Sequence, residues 1–322
     1  MSPRKTTDAA VVLLALLAVP AQAQDAWPAR AVRLVVPSSP GGGTDLYARL
    51  LAQGLAENLR QQFIVDNRPG ASGNIGAEIA AKAPPDGYTF LVSAQPAIVI
   101  NPSLYRNLPY NAERDFAPVA RGVSSPLVFA SHPSVPVKSL SALIALGKRE
   151  PGKLPYGSAG AGSALNLVVK MVEEASGARF LHVPYKGIGP ALQALLSGEI
   201  AFVASDIGAI LPHIRSGRVL GLAVTERTPL LPGTPTLAAA GYPDIRASAG
   251  FMVVAPAGTP AAIVQRMSAE INRVMKSPAI GEKLEAQGFI PVFDTPETFT
   301  ATLKQERQMW GDVIRRNRIV AE

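Results

Sequence analysis

Short apolar runs alternate along this chain with segments whose apolar positions recur every three or four residues. That rhythm predicts strands alternating with helices. Val32-Arg33-Leu34-Val35-Val36 reads as a strand, and Leu46, Leu50, Leu51, Leu55 and Leu59 fall on one face of a helix. Phe63-Ile64-Val65 is the next strand, residues 74–82 the next helix, and Tyr88-Thr89-Phe90-Leu91-Val92 the third strand. Pro84-Pro85-Asp86-Gly87 forces the turn before it. Strand–helix units of this length argue for a parallel sheet covered on both faces. A Pro-rich connection over 96–118 then leads to a strand at 127–130 and a helix at 140–148, stopped by Glu150-Pro151-Gly152. Further helices are expected at 164–176, from Gly187 to about Gly198, and from Pro260 to about Lys276, with strands at 200–204, 219–225 and 251–255. Pro260 suits a first helical turn. Helices at 279–287 and 296–316 close the pattern, and no short-period repeat interrupts it.

The N-terminus breaks the rhythm. Arg4 and Lys5 precede an apolar run at 9–19, and Ala21-Gln22-Ala23 offers small residues for cleavage. The segment reads as an export signal cut near Ala23, because a membrane anchor needs about 20 apolar residues. The product is expected to be a soluble protein of the periplasm. Roughly 300 of the 322 residues then remain, which at about 100–200 residues per domain predicts two lobes. With 48% hydrophobic and 17% charged residues, the chain can fill both cores. It contains no cysteine, which excludes disulfides, thiol catalysis and thiolate metal sites. The net charge of +7 is scattered rather than striped, and aromatics are only 6%. That pattern argues against nucleic acid and fits weak steering of anionic solutes.

Two strand-to-helix turns carry the candidate chemistry. The first runs Pro37-Ser38-Ser39-Pro40-Gly41-Gly42-Gly43-Thr44-Asp45, and the second Gly157-Ser158-Ala159-Gly160-Ala161-Gly162-Ser163. A helix start exposes unpaired N–H groups and about half a positive charge, so each turn can cradle an anion. Two such cradles in different lobes suggest a pincer for a carboxylate. In the first, Ser38, Ser39, Gly41, Gly42 and Gly43 let the backbone approach a ligand, and Thr44 or Asp45 can cap the helix. In the second, Ser158, Ala159, Gly160 and Gly162 are the ligand candidates, and Ser163 is placed to cap. Ser158 reads equally as a hydroxyl that stabilises the turn. Ser93 and Gln95 follow the third strand, at the carboxyl edge where open sheets bind ligands. Lys186 could meet an anion or simply be solvated, and Asp206 could accept from a ligand or cap a helix. Neither turn has the ending of a nucleotide P-loop or a Gly-x-Gly-x-x-Gly pattern. No Gly-x-Ser-x-Gly elbow exists, and His132, His182 and His213 lack zinc-type spacing. A binding protein is therefore expected, not an enzyme, with no metal and no cofactor.

The motifs also match a known pattern. Pro40-Gly41-Gly42-Gly43-Thr44-Asp45, Asn67-Arg68-Pro69-Gly70-Ala71-Ser72-Gly73-Asn74, Pro85-Asp86-Gly87-Tyr88-Thr89, Asp115-Phe116-Ala117-Pro118, Pro155-Tyr156-Gly157-Ser158, His182-Val183-Pro184-Tyr185-Lys186-Gly187 and Pro256-Ala257-Gly258-Thr259-Pro260 occur in order over nearly the whole chain. The set resembles the Bug, or tripartite-tricarboxylate-transporter (TctC-like), periplasmic receptors. The resemblance implies an α/β, two-lobed, type II-like periplasmic binding protein, each lobe a mostly parallel sheet flanked by helices. It implies lobes at 24–125 plus 248–322 and at 126–247. It further implies a monomer that holds a small carboxylate through backbone N–H groups and ordered water, then delivers it to TctA/TctB-like membrane subunits. A sensor receptor for a two-component kinase would bind in the same way; an exported hydrolase is the remaining alternative. The chain departs from the pattern at Ser38, Asn166 and Gly250, where the resemblance leads one to expect bulky rings, and at Ser205-Asp206. Fewer rings imply a roomier pocket and a ligand larger than a C4 dicarboxylate.

Overall fold

The computed structural model describes residues 27–245, 247–316 and 319; the expected export signal lies outside them. The first apolar run becomes β1 (Val32–Val36), four of whose five residues are buried. A strand covered on both faces keeps its apolar run unbroken. It pairs in parallel with β2 (Phe63–Asn67) on one side and β3 (Thr89–Ala94) on the other. Helices α1 (Gly43–Leu59) and α2 (Asn74–Ala81) provide the crossovers. A π-helical turn at Pro96–Ile100 and α3 (Asn101–Leu104) then bury Ile98, Val99 and Ile100.

The strand that follows is longer than its sequence pattern suggests. β4 (Phe116–Ser131) spans 16 residues. Over Phe116–Pro126 it lies antiparallel to β9 (Ser248–Pro256). Over Leu127–Ser131 it lies antiparallel to β7 (Phe202–Asp206), and over 128–131 also to β8 (Leu220–Val224). Pro118 falls where its register against β9 shifts, a position at which a missing N–H costs no ladder bond. The second half adds α4 (Leu140–Arg149), β5 (Pro155–Ser158), α5 (Ala164–Ser176), β6 (Leu181–Pro184), α6 (Ile188–Ser197) and α7 (Ile207–Arg215). The chain closes with α8 (Ala261–Lys276), α9 (Pro278–Ala286), β10 (Ile290–Pro291) and α10 (Pro296–Arg316).

The strands run in the order β2-β1-β3-β9-β4-β7-β5-β6, with β8 and β10 also on β4. β2, β1, β3 and the first part of β4 share one direction, against β9 and β10; β6, β5, β7 and β8 share another, against the end of β4. Each half is thus mostly parallel. Each also has its own aromatic centre. Tyr47, Phe251 and Phe289 pack within 6.4 Å of one another in the first. Tyr156, Phe180 and Phe202 do so in the second. Burial of each ring stabilises by roughly 1.5–3 kcal/mol, and edge-on or stacked geometry adds about 0.5–1.5 kcal/mol per pair. Among the described residues no helix is long and apolar enough to cross a membrane.

Candidate functional site

The first turn leaves the start of α1 without a cap from its own N-cap residue. Gly42 is the N-cap residue of α1, extended at φ −87°, and no side chain caps the helix. Asp45, one of the two expected caps, folds back instead. Its carboxylate accepts from Gly41 N (3.0 Å), Arg49 Nε (3.0 Å) and Asn67 Nδ2 (3.0 Å). Burial alone would raise its pKa, but the bonds from Arg49, Gly41 and Asn67 hold the carboxyl below its usual range. Asn67 also donates to Ser38 O at 3.0 Å, so Asp45 and Asn67 together fix the turn. Asp45 and Gly41 shape the cradle from behind. Ser39 reaches across to the second half, donating to Lys186 O at 2.9 Å.

The second turn is hydrogen-bonded to itself. Ser158 is fully buried; its Oγ accepts from Gly160 N at 3.1 Å and lies 2.7 Å from His182 Nε2. Ser163 caps α5 by accepting from Asn166 N at 3.2 Å, and its hydroxyl donates to Gly160 O at 2.8 Å. Gly160, at φ +117°, faces Ser72 of the first half so closely that a Cβ would stand 2.5 Å from Ser72 Oγ. Gly162 is likewise pressed against Asn101. The serine–histidine contact looks like a nucleophile with its base. However, Ser158 is buried beneath the turn and does not line the cleft, so the pair orders the loop. Burial, with Lys170 adding to it, lowers the His182 pKa to about 4.

One cleft collects the rest, with about 720 Å³ of empty space including its mouth. Ser38, Gly42, Gly43 and Thr44 line it from the first turn, and Ala159 and Ser163 from the second, with Ala164 and Leu165 at the head of α5. Ser93, Gln95, Lys186 and Asp206 complete the expected set that lines it. Ser39, Gly41, Asp45, Ser158, Gly160 and Gly162 do not; they hold the two turns in place. Sequence reasoning missed Gly70, Ser72, Gly73, Ile188 and Phe251, which also form the wall. The run Gly70–Gly73 keeps positive φ at every residue, and the two glycines flanking it were the available signal.

Two side chains give the cleft its polarity. Asp206 caps α7, accepting from Ala209 N at 3.2 Å, and is only 4% exposed. It also reaches the start of α1, where a Cβ on Gly43 would lie 2.5 Å from Asp206 Oδ1. Burial raises its pKa to about 6, against the pull of the Ala209 and Gly43 amides. Of the two readings left open for Asp206, the structure shows the cap, and the residue also lines the cleft. Gln95 donates through Nε2 to Glu306 Oε2 at 3.4 Å, while its Oε1 has no hydrogen-bond partner. Arg121 backs Glu306 at 3.5 Å. Ser93 Oγ donates to Ala94 O at 2.7 Å, and Ser38 Oγ has no hydrogen-bond partner. The roomier pocket expected at Gly250 and Asn166 does not form there. A Cβ on Gly250 would already sit 3.3 Å from Gln95, and Asn166 spends its amide on Tyr156 and Ala161, both at 2.6 Å.

The family model described as tripartite tricarboxylate transporter family receptor matches residues 47–319. The chain belongs to that family. It is 39% identical over 302 residues to the protein BugT of Bordetella pertussis, covering 93% of this chain and 92% of that one. An R. palustris protein solved with adipate superposes with a TM-score of 0.88 at 35% identity, covering 91% of this chain and 99% of that one. MatC from Rhodopseudomonas palustris, solved with bound malate, superposes at 0.85 with 30% identity, covering 89% and 99%. The periplasmic binding protein BugD superposes at 0.88 with 30% identity, covering 92% of this chain and 100% of that one, and this receptor shares its mixed α/β fold.

Proposed function

We propose that this receptor captures a small carboxylate in the cleft between its two halves and hands it to TctA/TctB-like membrane subunits in the periplasm. The observation that carries the reading is that both predicted turns, far apart in sequence, contribute walls to a single cleft. Relatives solved with adipate and malate support the ligand class. The first-turn amides of α1 and α5 supply donors without a fixed cation; Lys186, itself exposed, is the one cationic side chain in the lining among the described residues. Each hydrogen bond to a carboxylate contributes about 1.5–3 kcal/mol, so three or four reach the roughly −8 kcal/mol of micromolar binding.

Residues 24–125 with 248–322 form one lobe in this reading, and 126–247 the other. β4 passes between them at Pro126–Leu127, and the chain returns at the start of β9. Ligand contacts to both lobes favour the closed form, and that form offers the surface the membrane subunits recognise. Residues 1–23 serve export and are removed, and the mature receptor acts as a monomer.

Melting the mature protein with a panel of dicarboxylates tests this. A ligand at 100 times its Kd stabilises by about 2.7 kcal/mol, so at least one acid should raise Tm by several degrees. A panel of acids that leaves Tm unmoved would contradict the reading.

A further inference from the structure

Two polar side chains buried in the cleft wall, Asp206 and Gln95, present acceptors, which is an odd equipment for a site that takes only carboxylates. Asp206 is 4% exposed and Gln95 5%. Among the described residues no Lys, Arg or His is paired with Asp206, and no charged side chain contributes to the shift of its pKa. Gln95 is oriented from behind. Its NH2 group faces Glu306, which as a carboxylate can only accept, so Oε1 is turned away and lacks a partner. A buried acceptor without a donor is costly, and a ligand carboxylate brought against it adds a second one. The opposite character lies on the other walls. Ala164 and Leu165 head α5, whose first amides have no intrahelical acceptor. Thr44 occupies the same place in α1, and Lys186 stands nearby on the lining.

We propose that the cleft is two-poled: the start of α5, Thr44 and Lys186 take a carboxylate, while Asp206, whose carboxylate already holds the Gly43 amide, and Gln95 receive a hydrogen-bond donor on the same ligand, a hydroxyl or an ammonium. The preferred solute is a hydroxy- or amino-substituted carboxylate, not a plain dicarboxylate. This rests on the reading that the cleft binds carboxylates. It is argued from Asp206 and Gln95 as this chain places them.

Titration calorimetry on the mature protein with glutarate, 2-hydroxyglutarate and glutamate separates the possibilities, since the three differ in the donor alone. The wild type should bind at least one donor-bearing acid tenfold or more tighter than glutarate; the hydroxy and amino arms say which donor is taken. Asp206→Asn retains a side chain able to cap α7, so its melting curve serves as a check on folding. It should weaken the donor-bearing acid at least tenfold and strengthen glutarate, because an amide can donate where a carboxylate repels. Gln95→Met, which keeps the length and removes the acceptor, should narrow the preference without reversing it. Equal affinity for all three acids, or a preference unchanged in Asp206→Asn, would overturn the two-poled cleft while leaving the carboxylate receptor standing. No binding of any of the three, nor of adipate or malate, would overturn both.

Discussion

Two groups in this receptor, the buried Asp206 and the half-buried His182, have their pKa values shifted in opposite senses over the same range. Asp206 has its folded pKa raised from 3.8 to about 6 by burial. Its favourable contribution is therefore complete below about pH 4 and is lost as pH rises through about 6. Glu306, also raised by burial, acts in the same sense. His182 is lowered from 6.5 to about 4, again by burial. Its contribution is complete above about pH 6.5 and is lost as pH falls through about 4. Between these limits the slopes oppose and the wild-type profile is flattened. Asp206→Asn removes its share of one side and leaves Glu306, so relative to the wild type stability should climb with pH between 4 and 6.5 and gain up to about 3 kcal/mol at pH 7. Calorimetric melts across that range check this; a variant whose profile overlays the wild type would refute the buried, uncompensated carboxylate.

The turns fail in different ways when a side chain is added. Gly42 has an ordinary φ, so Gly42→Val is tolerated by the backbone, yet its Cβ would stand 2.9 Å from Ile188 Cγ2 across the cleft. The variant should melt within a few degrees of the wild type and bind dicarboxylates at least tenfold more weakly. Gly160→Ala meets a strained φ of +117° as well as Ser72 Oγ. It should lose both binding and stability, the latter by about 1–3 kcal/mol. Denaturant titration alongside calorimetry distinguishes the two. At this scale the turns were legible because glycine and serine at strand ends announce them, and Ser163 caps α5 as its position implied. The length of β4 was not legible. The Pro-rich connection reads through Pro118 and the strand only from Leu127, whereas β4 starts at Phe116 and register shifts against β9 absorb Pro118. Helix α7 was hidden because Ile207, Ile210 and Leu211 prolong the apolar run of β7 and Pro212 interrupts the helical pattern. Arg49 lies one turn from Asp45 in α1 and was legible as an i,i+4 pair, but the roles of Asp45 and Ser158 also depend on Asn67 and His182, brought in from elsewhere in the chain, and no local pattern reveals those.

At the scale of the whole molecule, the described residues tie the halves through Ser39 to Lys186 and the Gly43 amide to Asp206, and Gly160 against Ser72 is a close steric fit. β4 and β9 run together to Pro126 and Ser248, where the pairing between them ends. That arrangement is suited to a hinge closing on a ligand held from both sides, with affinity reduced by whatever fraction of the free receptor stands open. X-ray scattering should therefore report a smaller radius of gyration for the wild type with a saturating dicarboxylate than for Gly42→Val under the same conditions. The most direct test is a crystal structure of the mature receptor with a carboxylate that binds it. The carboxylate should lie between Thr44 and the amides of Ala164–Leu165; a ligand seated away from both helix starts would contradict the account.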